Sequence, residues 1–78
     1  MARDFKVFQP ARTETISVAQ LMARLREASS SQGVTHVYLG SEMYFISAAL
    51  ERLGGLGAER LVNLAPTFTV NLPVPEEG

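Results

Sequence analysis

Apolar side chains fall at helical spacing most clearly in Ile16-Ser17-Val18-Ala19-Gln20-Leu21-Met22-Ala23-Arg24-Leu25-Arg26-Glu27-Ala28. Val18, Leu21, Met22 and Leu25 follow at i, i+3, i+4 and i+7, and Ala28 extends the stripe. Ser17 and Gln20 have the spacing of a capping box. The Ser17 hydroxyl accepts from the N–H of Gln20, and the Gln20 side chain reaches back to the N–H of Ser17. Ile16 and Leu21 occupy the positions of a hydrophobic staple. After Ser29-Ser30-Ser31-Gln32, Gly33 is placed to end the helix in a left-handed conformation. Each large side chain of the stripe contributes about 1.5–3 kcal/mol when buried, before the cost of ordering the chain is subtracted. The stripe therefore reads as a core face rather than as a binding surface.

Period-two patterns surround this helix. Asp4-Phe5-Lys6-Val7-Phe8 alternates and predicts a first strand, with Phe5 and Val7 on one face and Asp4, Lys6 and Phe8 on the other. Pro10 ends it, and residues 11–15 read as a polar connection. Val34-Thr35-His36-Val37-Tyr38-Leu39 is β-branched and aromatic, apolar on both faces, and predicts a central strand. Strand, helix and strand in this order fit parallel neighbours joined right-handedly. Beyond Gly40 two readings compete. In the favoured one, Ser41 caps a second helix through Leu53 that buries Met43, Ile46, Ala49, Leu50 and Leu53, with Gly54-Gly55 ending it. In the other, Met43-Tyr44-Phe45-Ile46 returns as a hairpin arm and only residues 48–53 are helical. The helix propensity of Ala48-Ala49-Leu50-Glu51-Arg52-Leu53 supports the first, and the Tyr-Phe-Ile run supports the second. Leu61-Val62-Asn63-Leu64 predicts a short strand before Pro66. Thr67-Phe68-Thr69-Val70-Asn71-Leu72 predicts the cleanest strand, with Phe68, Val70 and Leu72 inward. No internal repeat is visible.

The expected architecture is a two-layer α+β domain, one or two helices on a three- or four-stranded sheet in the order β-α-β-α-β-β. Residues 1–72 form the domain and residues 73–78, with two prolines and two glutamates, an exposed C-terminal tail. At 78 residues the chain buries only about 60% of its unfolded surface, so its core is small. A bound partner or a second copy would stabilise it.

Composition narrows the function. There is no cysteine, hence no disulfide framework, thiolate metal site or thiol nucleophile, as expected of a cytoplasmic protein. The start lacks the apolar run of a signal peptide and no apolar stretch is long enough to span a membrane. The net charge of −1 divides unevenly: residues 1–26 carry five basic and two acidic side chains (+3), residues 27–78 two basic and six acidic (−4). Arg3, Lys6, Arg12, Arg24 and Arg26 are too scattered for a nucleic-acid-binding stripe. Only Lys6 lies between aromatics as an RNA-binding sheet would require.

Catalytic equipment is not expected. His36 is the sole histidine, and the following Gly40-Ser41-Glu42 lacks the second glycine of a nucleophile elbow. One histidine with dispersed carboxylates makes no compact metal site. Gly54-Gly55-Leu56-Gly57 follows a helix, whereas a phosphate loop follows a strand and opens a helix. The chain is accordingly expected to be non-enzymatic, without cofactor or metal, and to act on a protein partner or on a second copy as a homodimer. The candidate contacts are Phe8, Arg12, Glu42 and Tyr44, since aromatics and arginine concentrate binding energy. Thr67, Thr69 and Asn71 join them on the outer face of the terminal strand, a candidate edge for strand addition. The helix of Ile16 to Leu25 leading into a short strand also resembles the Thr/Ser-Val-x-x-Leu helix of small phage and bacterial accessory proteins. The resemblance implies a small accessory protein that acts by binding. The small size, the missing catalytic constellation and the edge and aromatic candidates point more concretely to a phage- or mobile-element-type inhibitor or adaptor that covers a host protein surface, the alternative being a structural homo-oligomeric assembly subunit.

Overall fold

The computed structural model describes residues 5–66 and 70–71. The described chain forms β1 (Glu14–Ser17), α1 (Val18–Gln32), β2 (His36–Leu39), β3 (Glu42–Phe45), α2 (Ile46–Gly54), β4 (Leu61–Leu64) and β5 (Val70–Asn71). The strands make one five-stranded sheet in the order β1-β4-β5-β2-β3. All neighbours are antiparallel except β2 and β5. Both helices lie on one face, so the molecule is a two-layer α+β domain as the sequence predicts. The buried layer is Ile16, Val18, Leu21, Leu25 and Ala28 from the first strand and helix, then Val34, Val37, Leu39, Ile46, Ala49, Leu53, Val62, Leu64 and Val70.

Helix α1 forms as its local chemistry dictates. Gln20 N–H donates to Ser17 Oγ at 3.2 Å and Ser17 N–H donates to Gln20 Oε1 at 3.3 Å, closing the capping box. Ile16 and Leu21, the staple residues, are both buried. Gly33 ends the helix at φ 72°, and its N–H and that of Val34 both donate to the Ala28 carbonyl. No basic residue occupies the last turn. Lys6 from the N-terminal segment serves instead, its ammonium donating to the Gln32 carbonyl at 3.0 Å.

Four sequence expectations are corrected. Residues 5–8 are not a strand: Val7 alone bridges His36, in parallel, because β5 takes the rest of that side of β2. The first strand is β1, in the stretch read as a polar connection. It pairs along its full length with β4 and buries Ile16. The favoured long helix over residues 41–53 is replaced by the hairpin β2–β3, with the helix starting at Ile46. Gly40, at φ 67°, sits first in the two-residue turn Gly40-Ser41, where a type II′ hairpin turn requires a positive φ. Lastly, β5 is not an edge. It lies between β4 and β2, and the edges are β1 and β3. Thr67, Phe68, Thr69 and Leu72, expected in the terminal strand, and the expected tail lie outside the described residues.

Candidate functional site

The face of the sheet opposite the helices is covered by no described element, and its two halves differ. On the β1–β4 half, Thr15 faces Asn63, and the Thr15 hydroxyl donates to Asn63 Oδ1 at 2.6 Å. Leu61, 60% exposed, is the one exposed large apolar side chain there among the described residues. On the β2–β3 half, the antiparallel register sets His36 beside Phe45 and Tyr38 beside Met43. The parallel bridge at Val7 brings Phe5 to the other side of His36. The Phe5 ring meets the imidazole edge-on, with centroids 4.3 Å apart and an interplanar angle of 68°. Phe45 lies at 4.4 Å, tilted by 34°. Each such ring contact contributes about 0.5–1.5 kcal/mol. The outer sides of these rings stay in water: Phe5 is 50% exposed, Phe45 63% and Met43 41%. Scattered single apolar residues are ordinary at a surface; here three exposed ones fall on one half of one sheet face.

The adjacent edge, β3, is bare among the described residues. A two-residue turn makes Leu39 and Glu42 the closing hydrogen-bonded pair, and Val37 and Tyr44 the next. The N–H and C=O of Met43 and the N–H of Phe45 therefore point away from β2, into the space where another strand would lie. The opposite edge, β1, is finished differently. Val18 N–H donates to the Arg60 carbonyl at 2.8 Å, which by register turns the N–H groups of Thr15 and Ser17 outward. Gln20 already occupies the one on Ser17. Arg24 donates to Glu14 Oε2 at 2.9 Å, closing an ion pair at that end. This hydrogen bond foremost, with the charges of Arg24 and Arg12 behind it, holds the Glu14 carboxyl below the usual carboxylate range against a smaller opposing effect of burial.

The sequence-derived contact residues are dispersed. Phe8 is half-buried and packs on the core instead of standing free. Its N–H donates to the His36 carbonyl at 2.8 Å. Arg12 is exposed, ahead of β1 and remote in sequence from the bare edge. Asn71 lies in an interior strand, in register with Asn63. Only Glu42 and Tyr44 come together, on β3. The Tyr44 hydroxyl donates to Glu42 Oε1 at 3.0 Å, the Arg52 guanidinium sits 5.3 Å from the Tyr44 ring centroid, and Tyr44 packs inward on the core. Reasoning from sequence missed Phe5, His36, Met43 and Phe45 as a surface. The signal was present in Gly40-Ser41, a two-residue hairpin turn between two β-rich runs.

A groove of about 390 Å3 separates the N-terminal segment from α1, lined by Lys6, Phe8, Arg24, Glu27, Gln32 and Val34. Lys6 and Arg24 there are engaged by Gln32 and Glu14. Among the described residues no cluster of His, Asp and Glu could hold a metal ion, and no helix is long and apolar enough to cross a membrane. The fold and its surface define a class, the two-layer α+β domain, with one sheet face uncovered among the described residues. No family model, curated protein or solved structure matches the chain.

Proposed function

We propose that the protein is a non-enzymatic protein-interaction module that docks its partner along β3 and the adjoining Phe5–His36–Phe45 surface. One observation carries this reading: two large apolar side chains, Met43 and Phe45, stand exposed on the edge strand β3, whose outward backbone groups are unpaired among the described residues, and a third, Phe5, stands exposed across the His36 ring from Phe45. An added strand supplies affinity through main-chain hydrogen bonds, and flanking side chains supply specificity. His36 supports the same reading. Among the described residues its ring neighbours are Thr35, at 2.8 Å from Nδ1, and the two phenylalanines, whereas a general base needs an orienting carboxylate. The more particular form is an accessory inhibitor or adaptor that works by covering a surface of a host protein.

A photoreactive residue placed at Met43, compared with one at Thr15 on the polar half, tests the reading in cell extract. The expected result is a protein adduct from position 43 that disappears when Phe45→Asp is added, and none from position 15. Adducts that form equally at both positions, or that survive Phe45→Asp, would overturn it.

A further inference from the structure

We propose that a second copy of this chain is a partner of the β3 edge, the two β3 strands pairing antiparallel across a two-fold axis beside Met43. The inference rests on the docking edge proposed above and names its occupant.

The hydrogen-bonding groups select the register. Phe45 is the N-cap residue of α2, so its carbonyl is turned into the first helical turn. An axis through Tyr44 would set the N–H of Met43 against that occupied carbonyl. An axis through Met43 sets Met43 against Met43 of the second copy, where the two residues exchange both backbone bonds. It also offers the N–H of each Phe45 the carbonyl of Ser41 in the other copy. All three outward groups of each strand are then satisfied.

Charge selects the same register. With the axis at Met43, Glu42 stands directly opposite Tyr44 of the second copy, on the helix side of the sheet. Glu42 is an exposed carboxylate, and each Tyr44 ring carries the Arg52 guanidinium at 5.3 Å. Each Glu42 thus meets the Arg52 of the other copy, and the two-fold makes this contact twice. On the open face the two Met43 thioethers meet at the axis, with each Phe45 ring diagonal to the Met43 of the other copy, within reach for sulfur–aromatic contact. The contact is isologous and closes after two copies. A four-residue edge with its flanking side chains is small, below about 1,200 Å2, so the dimer exchanges reversibly with monomer.

Sedimentation equilibrium of the full chain from about 1 µM to about 1 mM tests this. Wild type is expected to shift from monomer to dimer over that range. Glu42→Arg and Arg52→Glu each place like charges across the strand pair and are expected to weaken association at least about tenfold. The double variant restores the pairing with its signs exchanged and is expected to recover the wild-type constant. Both residues are exposed, so the variants fold, which circular dichroism confirms independently. A chain that stays monomeric to the top of the range overturns the self-pairing. A dimer that neither single variant weakens, or that the double variant fails to restore, overturns it too. If such a chain still gives Phe45-dependent adducts at position 43 with another protein, the docking edge stands and only its occupant changes. If those adducts are lost as well, both readings fall together.

Discussion

At Ser17 and again at Phe45 a strand runs straight into a helix, and the backbone passes both points in nearly the same conformation: φ −79° and ψ 159° at Ser17, φ −63° and ψ 152° at Phe45. The two strands are the two edges of the sheet. At the first junction the side chains suit the geometry. Ser17 and Gln20 exchange hydrogen bonds, and the bond into Ser17 also occupies an outward N–H of the edge strand. One device caps the helix and finishes the edge. At the second junction no side chain caps the helix, and the residue in that position is a phenylalanine 63% exposed to water. Ser, Thr, Asp or Asn would satisfy the helix better there. A position where local preference is set aside while the fold around it is consistent is where function is expected. The difference thus singles out Phe45 on chemical grounds separate from its exposure.

The largest effect comes from breaking the first junction at its buried end. Leu21→Ala removes a fully buried staple residue and is expected to cost about 2–5 kcal/mol in urea unfolding, a large part of a small domain's stability. Next comes the pair that compares the junctions directly. Ser17→Ala is expected to cost about 1 kcal/mol. Phe45→Ser supplies a cap where there is none, which offsets the lost ring contact with His36, and its thermal midpoint is expected to stay near that of wild type while binding through the edge is lost. Should both variants lower the midpoint alike, the two junctions do not differ in the way described. The smallest effect lies at the finished edge. Glu14 is held below its ordinary value by Arg24, so the stability it contributes is present above the usual carboxylate range and is lost as pH falls through the lowered value. Glu14→Gln is therefore expected to lower the midpoint slightly at neutral pH and not at all in strong acid. A gap between wild type and variant that stays constant with pH would contradict this.

What could be read from the sequence was what the sequence settles locally. The capping box, the staple, the stripe and the Gly33 terminus lie within a few residues of one another and of the hydrogen bonds they make. β1 could not be read that way. Thr-Glu-Thr-Ile offers one inward apolar residue, and it becomes a strand only because β4, far along the chain, lies beside it. The hairpin was written in Gly40-Ser41, but the helix-forming run after it, with no break between strand and helix, drew the helix boundary too far forward. The interior place of β5 depends on two distant partners, and no local pattern encodes it. The surface followed the same rule. Phe5 and Phe45 are far apart in sequence and meet only because the Val7 bridge and the hairpin register place them on either side of one imidazole.

Lys6 joins parts that otherwise share little. Its N–H donates to Thr35 Oγ1, its carbonyl accepts from the N–H groups of Thr35 and His36, and its ammonium reaches the end of α1. The same segment is held by the Val7 bridge, by the Phe5 ring on His36 and by Phe8, which packs on the buried layer, so among the described residues these contacts open together and uncover the Phe8 side of the core as they do. The amide hydrogens of Thr35 and His36 then exchange with solvent through this small opening and not through global unfolding. They would lose protection well before those of Val37 and Leu39 on the same strand. The aromatic surface built on Phe5 would then have a lifetime of its own, set by the contacts of residues 5–8 and shorter than that of the fold beneath it.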